Sequence, residues 1–214
     1  MKKIVIAGGG GFVKCIINYI ENNPEFEIVG YTDIEDHGDI LGYKYLGTDD
    51  VLPELKANGV ENAVVGVGLR LNDASLKMKI TNKLKEMGFK LPVLYGRNVV
   101  VHRGAIIEEG VVLRDGCIVQ AGTTVKAHSM IGDNCFIGHD SIIKEYTHIV
   151  AGSNVGRDCI IGPSTMVANN VTVMNGVTIG ANVLIGTKSL VKHDCLEAGV
   201  YFGTPCKLAR KNEE

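Results

Sequence analysis

The amino-acid sequence predicts a small α/β domain with a Rossmann-like parallel sheet, followed by a left-handed parallel β-helix. Three observations carry this. An aliphatic repeat of period six runs from Val99 to Asp194. The apolar segment that opens the chain ends in four consecutive glycines, Gly8 to Gly11. Between the two, short apolar segments alternate with stretches of helical spacing, the pattern of β-α-β units.

The elements follow in order. Lys3 to Ala7 reads as a buried strand and Gly8 to Gly11 as a tight turn. Phe12 to Glu21 has Val13, Ile16, Ile17 and Ile20 on one side of a helix. Glu27 to Tyr31 is a second strand, ending at Asp33, which completes a β-α-β unit with a glycine-rich first turn. Val51 to Asn58 reads as a short helix and Asn62 to Val67 as a third strand. Asp73 to Met87 reads as a longer helix, capped by Asp73 and ended by Gly88. Leu91 to Tyr95 is expected to be the last strand of this domain, residues 1–95.

In the repeat, every sixth residue from Val101 to Val191 is aliphatic, sixteen times without a slip. The residue two before each is small or β-branched, from Val99 to Ser189. A period of six fits neither a helix nor a lone strand; it fits short strands joined by identical turns. One aliphatic side chain per strand points inward, and the small residue leaves room at the corner. Three hexapeptides close a triangular coil, so the repeat builds a little over five coils across residues 96–196. Residues 197–214 leave the period and are expected to form a C-terminal cap or tail, as end caps do in repeat proteins.

Lysine and arginine number 22 against 24 acidic residues, a net charge of −2, so no broad electrostatic footprint for nucleic acid or a membrane surface is expected. Met1 to Ala7 is too short for a signal peptide or a membrane span, and a cytoplasmic protein is expected. Three of the six cysteines, Cys117, Cys135 and Cys159, fall in the small-residue column, and no Cys-x-x-Cys occurs. With Cys15, Cys195 and Cys206 they read as reduced thiols, not as a metal site.

The glycine run would expose backbone N–H groups at a helix N-terminus, which suits an anion such as a pyrophosphate, although glycines also serve simply to turn a chain. Asp33 reads either as an acceptor for a sugar or base, or as a plain turn residue. His139 and Asp140 are adjacent at a coil corner, where side chains point outward; by spacing alone His139 reads as a solvated turn histidine. His148 precedes an inward Ile149 and so faces outward on a flat side. His102, His128 and His193 read as surface residues.

Certain motifs give these residues a common meaning. Lys3 to Lys14 (KIVIAGGGGFVK) resembles the opening strand and glycine loop of the nucleotide-sugar N- and O-acyltransferases, in particular the bacillosamine-pathway and sialic-acid-type acetyltransferases. Ile137-Gly138-His139-Asp140 resembles their catalytic His-acid pair, Thr147-His148-Ile149 a second functional histidine, and Phe202 to Lys207 their closing Gly-x-Pro-Ala-Lys. The resemblance covers nearly the whole chain. It implies a homotrimer, with acyl-coenzyme A (acetyl-CoA in the simplest case) between neighbouring β-helices against Gly156, Arg157, Asn169, Thr187 and Lys207. It implies a nucleotide-linked amino sugar held by Gly8, Gly10, Gly11, Asp33 and His148, and no metal. The chain departs from the family pattern at Phe12, Gly96-Arg97, Arg157, Asn169, Thr187 and Lys188, positions that bear on the acyl group and the sugar.

The reaction so implied is N-acylation, most directly of a 4-amino-4,6-dideoxyhexose nucleotide. A sugar amine attacks a thioester, a histidine takes its proton, and an adjacent carboxylate fixes the tautomer. The donor is already activated, so no Ser or Cys nucleophile is required. The oxyanion is expected to meet a backbone N–H at the Gly156–Arg157 turn. O-acetylation of a sialic acid-like sugar and a non-catalytic β-helix scaffold are the alternatives. A zinc enzyme of the γ-carbonic anhydrase type is disfavoured, because its His-x4-His is missing.

Overall fold

Apolar side chains on both faces set β1 (Lys2–Ala7) inside a sheet, with Ile4, Val5 and Ile6 fully buried. In the computed structural model, which describes residues 1–68 and 73–212, β1 pairs in parallel with β2 (Phe26–Thr32) and with β4 (Asn62–Val65). A fourth strand, β3 (Tyr45–Gly47), adds to β2, giving the order β3-β2-β1-β4. Three residues between turn signals are too few to show an alternation, and the sequence reading did not contain this strand. Helix α1 (Val13–Glu21) buries Val13, Ile16, Ile17 and Ile20 as its spacing predicts. Val5, Ala7, Leu52, Ala63, Val65, Leu84 and Phe89 form one core that takes in α2 (Leu52–Ala57) and α3 (Ser75–Glu86).

Two local expectations change. The N-cap of α3 is Ala74, not Asp73, and makes no side-chain capping bond, whereas Gly88 does take the left-handed conformation that ends the helix (φ +78°). The segment 91–95 is extended only at Leu94–Tyr95, and Lys90 makes a single bridge to Asn62. Pro92 lacks the N–H that a longer ladder would need.

The described residues from Gly96 onward, together with Asp73, form a second compact unit. Its two-residue strands stack in parallel into three sheets, the flat sides of a left-handed β-helix. The first side holds Val100–Val101, Ile118–Val119, Phe136–Ile137, Asn154–Val155, Thr172–Val173 and Leu190–Val191. The second runs from Ile106–Ile107 through Ile142–Ile143 to Thr178–Ile179, and the third from Val112–Leu113 through His148–Ile149 to Leu184–Ile185. From Leu113 to Val191 every aliphatic residue of the period is at most 2 % exposed, as the period demands. Val101 is 37 % exposed, because within this unit the first coil has a neighbour on one side only.

The small column does more than leave room. Thr123, Ser129, Ser141, Thr147, Ser153 and Thr165 each donate a hydroxyl hydrogen bond to the carbonyl fifteen residues on, at 2.7–2.9 Å. Ser129, Ser141, Ser153 and Thr165 also accept the N–H eighteen residues on, so these buried hydroxyls are satisfied in both roles. A third column makes the corners. All sixteen residues at every sixth position from Asn98 to Lys188 have φ between +52° and +86°. Six are glycine, four asparagine and two aspartate, the types that tolerate this region best.

Beyond the coils, Gly199–Gly203 and Cys206–Lys211 pair antiparallel, and the first of them extends the third side by pairing with Leu184–Ile185. The segment expected as a cap is thus a hairpin that prolongs one sheet; its last two residues, 213–214, lie outside the described residues.

Candidate active site

In the first unit, the ends of β1 and β2 build the glycine loop. Gly8 N–H donates to Thr32 O at 2.7 Å, and Gly9 N–H donates to a carboxylate oxygen of Asp33. Asp33 also accepts the N–H of Ile34 at 2.6 Å, and His37 Nε2 lies 3.7 Å from its Oδ2. A side chain at Gly9 would come within 2.6 Å of His37 and 2.8 Å of Tyr31. The Asp33 carboxylate thus holds the loop from within the unit, with one N–H on each oxygen and acceptor capacity left over. Gly10 and Gly11 are exposed, with open space where a Cβ would stand. The open backbone of this loop therefore lies at the start of α1, where the helix dipole favours an anion.

In the second unit, His139 and Asp140 occupy the corner between the first and second sides of the β-helix. His139 Nδ1 lies 2.8 Å from Asp140 Oδ2, and both side chains are exposed. Asp140 is a corner residue (φ +58°), so the turn itself favours a short polar residue here. Its carboxylate sits over Gly122, where a Cβ would come 2.2 Å from Oδ1. His139 N–H donates to Gln120 Oε1 at 3.1 Å. Together with His102, Gln120, Ala121 and Gly122, the pair lines a shallow depression of about 410 Å³. With Nδ1 donating to the carboxylate, Nε2 is left as the basic nitrogen.

The histidine nine residues on is elsewhere. His148 is half-buried on the third side, which lies opposite the His139 corner in a triangular section. Within one chain the fold separates the two. Gly156 and Arg157 lie one coil beyond Gly138 and His139 at the same corner, while Asn169 and Thr187 lie at the corner between the third and first sides. Lys207 is exposed on the C-terminal hairpin. One chain does not gather these five residues into one place.

The expected oxyanion donors are already engaged. Gly156 N–H donates to Val173 O at 2.9 Å, and Arg157 N–H donates to Asn175 Oδ1 at 3.1 Å. The cause is the stacking of the coils, which sets Asn175 over Arg157 eighteen residues back. The Arg157 guanidinium pairs with Asp158 at 2.6 Å.

His102 is exposed, as expected, and shares the His139 depression. His128, expected at the surface, is 6 % exposed, 3.9 Å from Glu109 and with its ring centroid 5.0 Å from that of Tyr146, because it fills the space over Gly110. Burial pushes the Cys117 thiol up to about 12 and that of Cys135 up to about 11, so neither is a nucleophile at neutral pH. Among the described residues no three His, Cys, Asp or Glu side chains form a group suited to a metal, and no helix is long and apolar enough to cross a membrane.

Comparison with known proteins accounts for both units. Residues 3–84 match the PglD N-terminal domain, residues 93–127 the hexapeptide repeat of succinyl-transferase, and residues 158–193 the bacterial transferase hexapeptide of six repeats. No curated protein sequence matches the chain. Among solved structures, a histidine-to-asparagine variant of perosamine N-acetyltransferase from Caulobacter crescentus, in complex with CoA and GDP-perosamine, is 26 % identical over 99 % of this chain and 97 % of that one, with a TM-score of 0.81. The acetyltransferase domain of PglB from Neisseria gonorrhoeae is 24 % identical over 97 % of this chain and 100 % of its own, with a TM-score of 0.87. WeeI from Acinetobacter baumannii shares the fold at 15 % identity over 96 % of this chain and 98 % of its own, with a TM-score of 0.81. A match to the PglD N-terminal domain followed by two matches to hexapeptide repeats makes the chain similar to the nucleotide-sugar acyltransferases of the left-handed β-helix family.

Proposed function

We propose that the protein is an acyl-CoA-dependent N-acyltransferase acting on the amino group of a nucleotide-linked amino-deoxy sugar, most directly a 4-amino-4,6-dideoxyhexose, as a cytoplasmic homotrimer. The observation that carries this is the His139–Asp140 pair, 2.8 Å apart beside an open depression, in a chain that aligns over 99 % of its length with a perosamine N-acetyltransferase. In the reaction the sugar amine attacks the thioester carbonyl, forming the C–N bond. His139 Nε2 accepts the proton that the nitrogen loses, and Asp140 stabilises the resulting imidazolium. The C–S bond then breaks, the carbonyl re-forms, and the sulfur takes the proton from the His139 imidazolium, so coenzyme A leaves as the thiol and the base is regenerated. The Gly10–Gly11 backbone receives the diphosphate, and Asp33 keeps that loop in shape.

The distribution of residues supports a site shared between copies, as a homotrimer would supply. His139 and His148 lie on opposite sides of one β-helix, as do the corners of Arg157 and Thr187 across the first side. A cleft that uses all of them takes one edge from each of two copies. The test is an assay of acyl-CoA donors against GDP-, UDP- and dTDP-linked 4-amino sugars. Acylated product resistant to hydroxylamine marks an amide; a labile product marks an ester and refutes N-acylation. Turnover with none of the amino sugars refutes the assignment altogether.

A further inference from the structure

His139 is held by more than Asp140. Gln120 stands one coil below, on a backbone fixed by its own N–H to Ile137 O at 3.0 Å. Its Oε1 accepts the N–H of His139 at 3.1 Å. Because the partner is an N–H, the carboxamide orientation is determined: oxygen toward His139, with the NH2 group left to donate elsewhere. Gln120 is half-buried and lines the same depression as the imidazole. In the coil below, Gln120 is followed by Ala121 and Gly122, the small residues that line the depression with it. Elsewhere at this corner Asn175 holds Arg157 N–H in the same manner, at 3.1 Å. A side-chain acceptor from the adjacent coil is thus how this edge fixes the peptide of an outward-facing residue.

We infer that Gln120 is a positioning residue for N-acyl transfer: its carbonyl fixes the peptide of His139, and so the direction of Nε2. This rests on His139 being the base.

The test uses the full-length enzyme with four variants. His139→Ala establishes the base: if it keeps more than about a tenth of wild-type turnover, the reading of the site fails, independently of Gln120. Gln120→Met keeps the volume but removes the acceptor; kcat should fall roughly ten- to a hundredfold, as misplacement of a catalytic group does, with both Michaelis constants within about twofold. Gln120→Asn, one methylene short, should behave like Gln120→Met. Gln120→Glu keeps the acceptor and adds a negative charge beside the imidazole. Its kcat should recover at alkaline pH, with the acid limb of the profile moved up by roughly half to one unit. Wild-type kcat in Gln120→Met, or an acid limb unmoved in Gln120→Glu, overturns the inference. So does a parallel loss of kcat and melting temperature in all three Gln120 variants.

Discussion

Replacing Gly122 by alanine should separate the seat of Asp140 from the strain of the turn that holds it. Gly122 has φ +73°, and a left-handed alanine costs about 1–2 kcal/mol. For a chain of 214 residues this is a fall in melting temperature of roughly 2–8 °C. The new Cβ would stand 2.2 Å from Asp140 Oδ1, so the carboxylate has to move. That side chain is 62 % exposed and can rotate into solvent, which keeps the added cost in stability small. In moving it gives up the 2.8 Å contact with His139. Gly122→Ala should therefore lose activity about as much as Asp140→Asn, and the double variant should lose little more than either, because both remove one interaction. Gly104→Ala is the control. It lies at the same corner with φ +86°, but its Cβ would meet only Gly122 N at 3.8 Å. Its melting temperature should fall equally, with turnover unchanged. Steady-state kinetics and thermal melts on the four proteins decide the matter. Wild-type turnover in Gly122→Ala beside an impaired Asp140→Asn would refute the argument, and so would equal losses of turnover in Gly104→Ala and Gly122→Ala.

His139→Ala should lower kcat by roughly two to four orders of magnitude and abolish the acid limb of the pH profile, while the melting temperature barely moves, since the side chain is exposed. Gly10→Val should fold normally, because a Cβ there meets nothing within 4 Å, yet raise the Michaelis constant for the sugar nucleotide and leave that for acyl-CoA nearly unchanged. Thr123→Val deletes the hydroxyl that donates to Gly138 O at 2.8 Å inside the coil; a destabilisation of about 1–3 kcal/mol should appear in denaturant melts. Burial holds the Cys117 and Cys195 thiols up to about 12 and that of Cys135 up to about 11, so at pH 8 a disulfide reagent should modify these three only after denaturation.

The β-helix was legible in the sequence because its determinants are local and repeated. One inward aliphatic and one small residue per six specify a strand and a corner, and fourteen consecutive aliphatic positions from Leu113 to Val191 are buried as the period requires. Gly88 and the apolar side of α1 were legible for the same reason: each concerns neighbours within one or two turns of chain. His139 and Asp140 could be named because they are adjacent in sequence. What only the tertiary structure decided depends on partners far apart in sequence, whose contact turns on side-chain direction. Asp33 accepts the N–H of Gly9, twenty-four residues back. Gln120 holds His139 from nineteen residues back, and Asn175 occupies the Arg157 amide from eighteen residues on. His128, one more polar residue at a corner by its place in the period, is buried because Gly110 below it leaves a space and Tyr146 above covers it. A coil of three hexapeptides says which residues lie one above another; only packing says which of them touch.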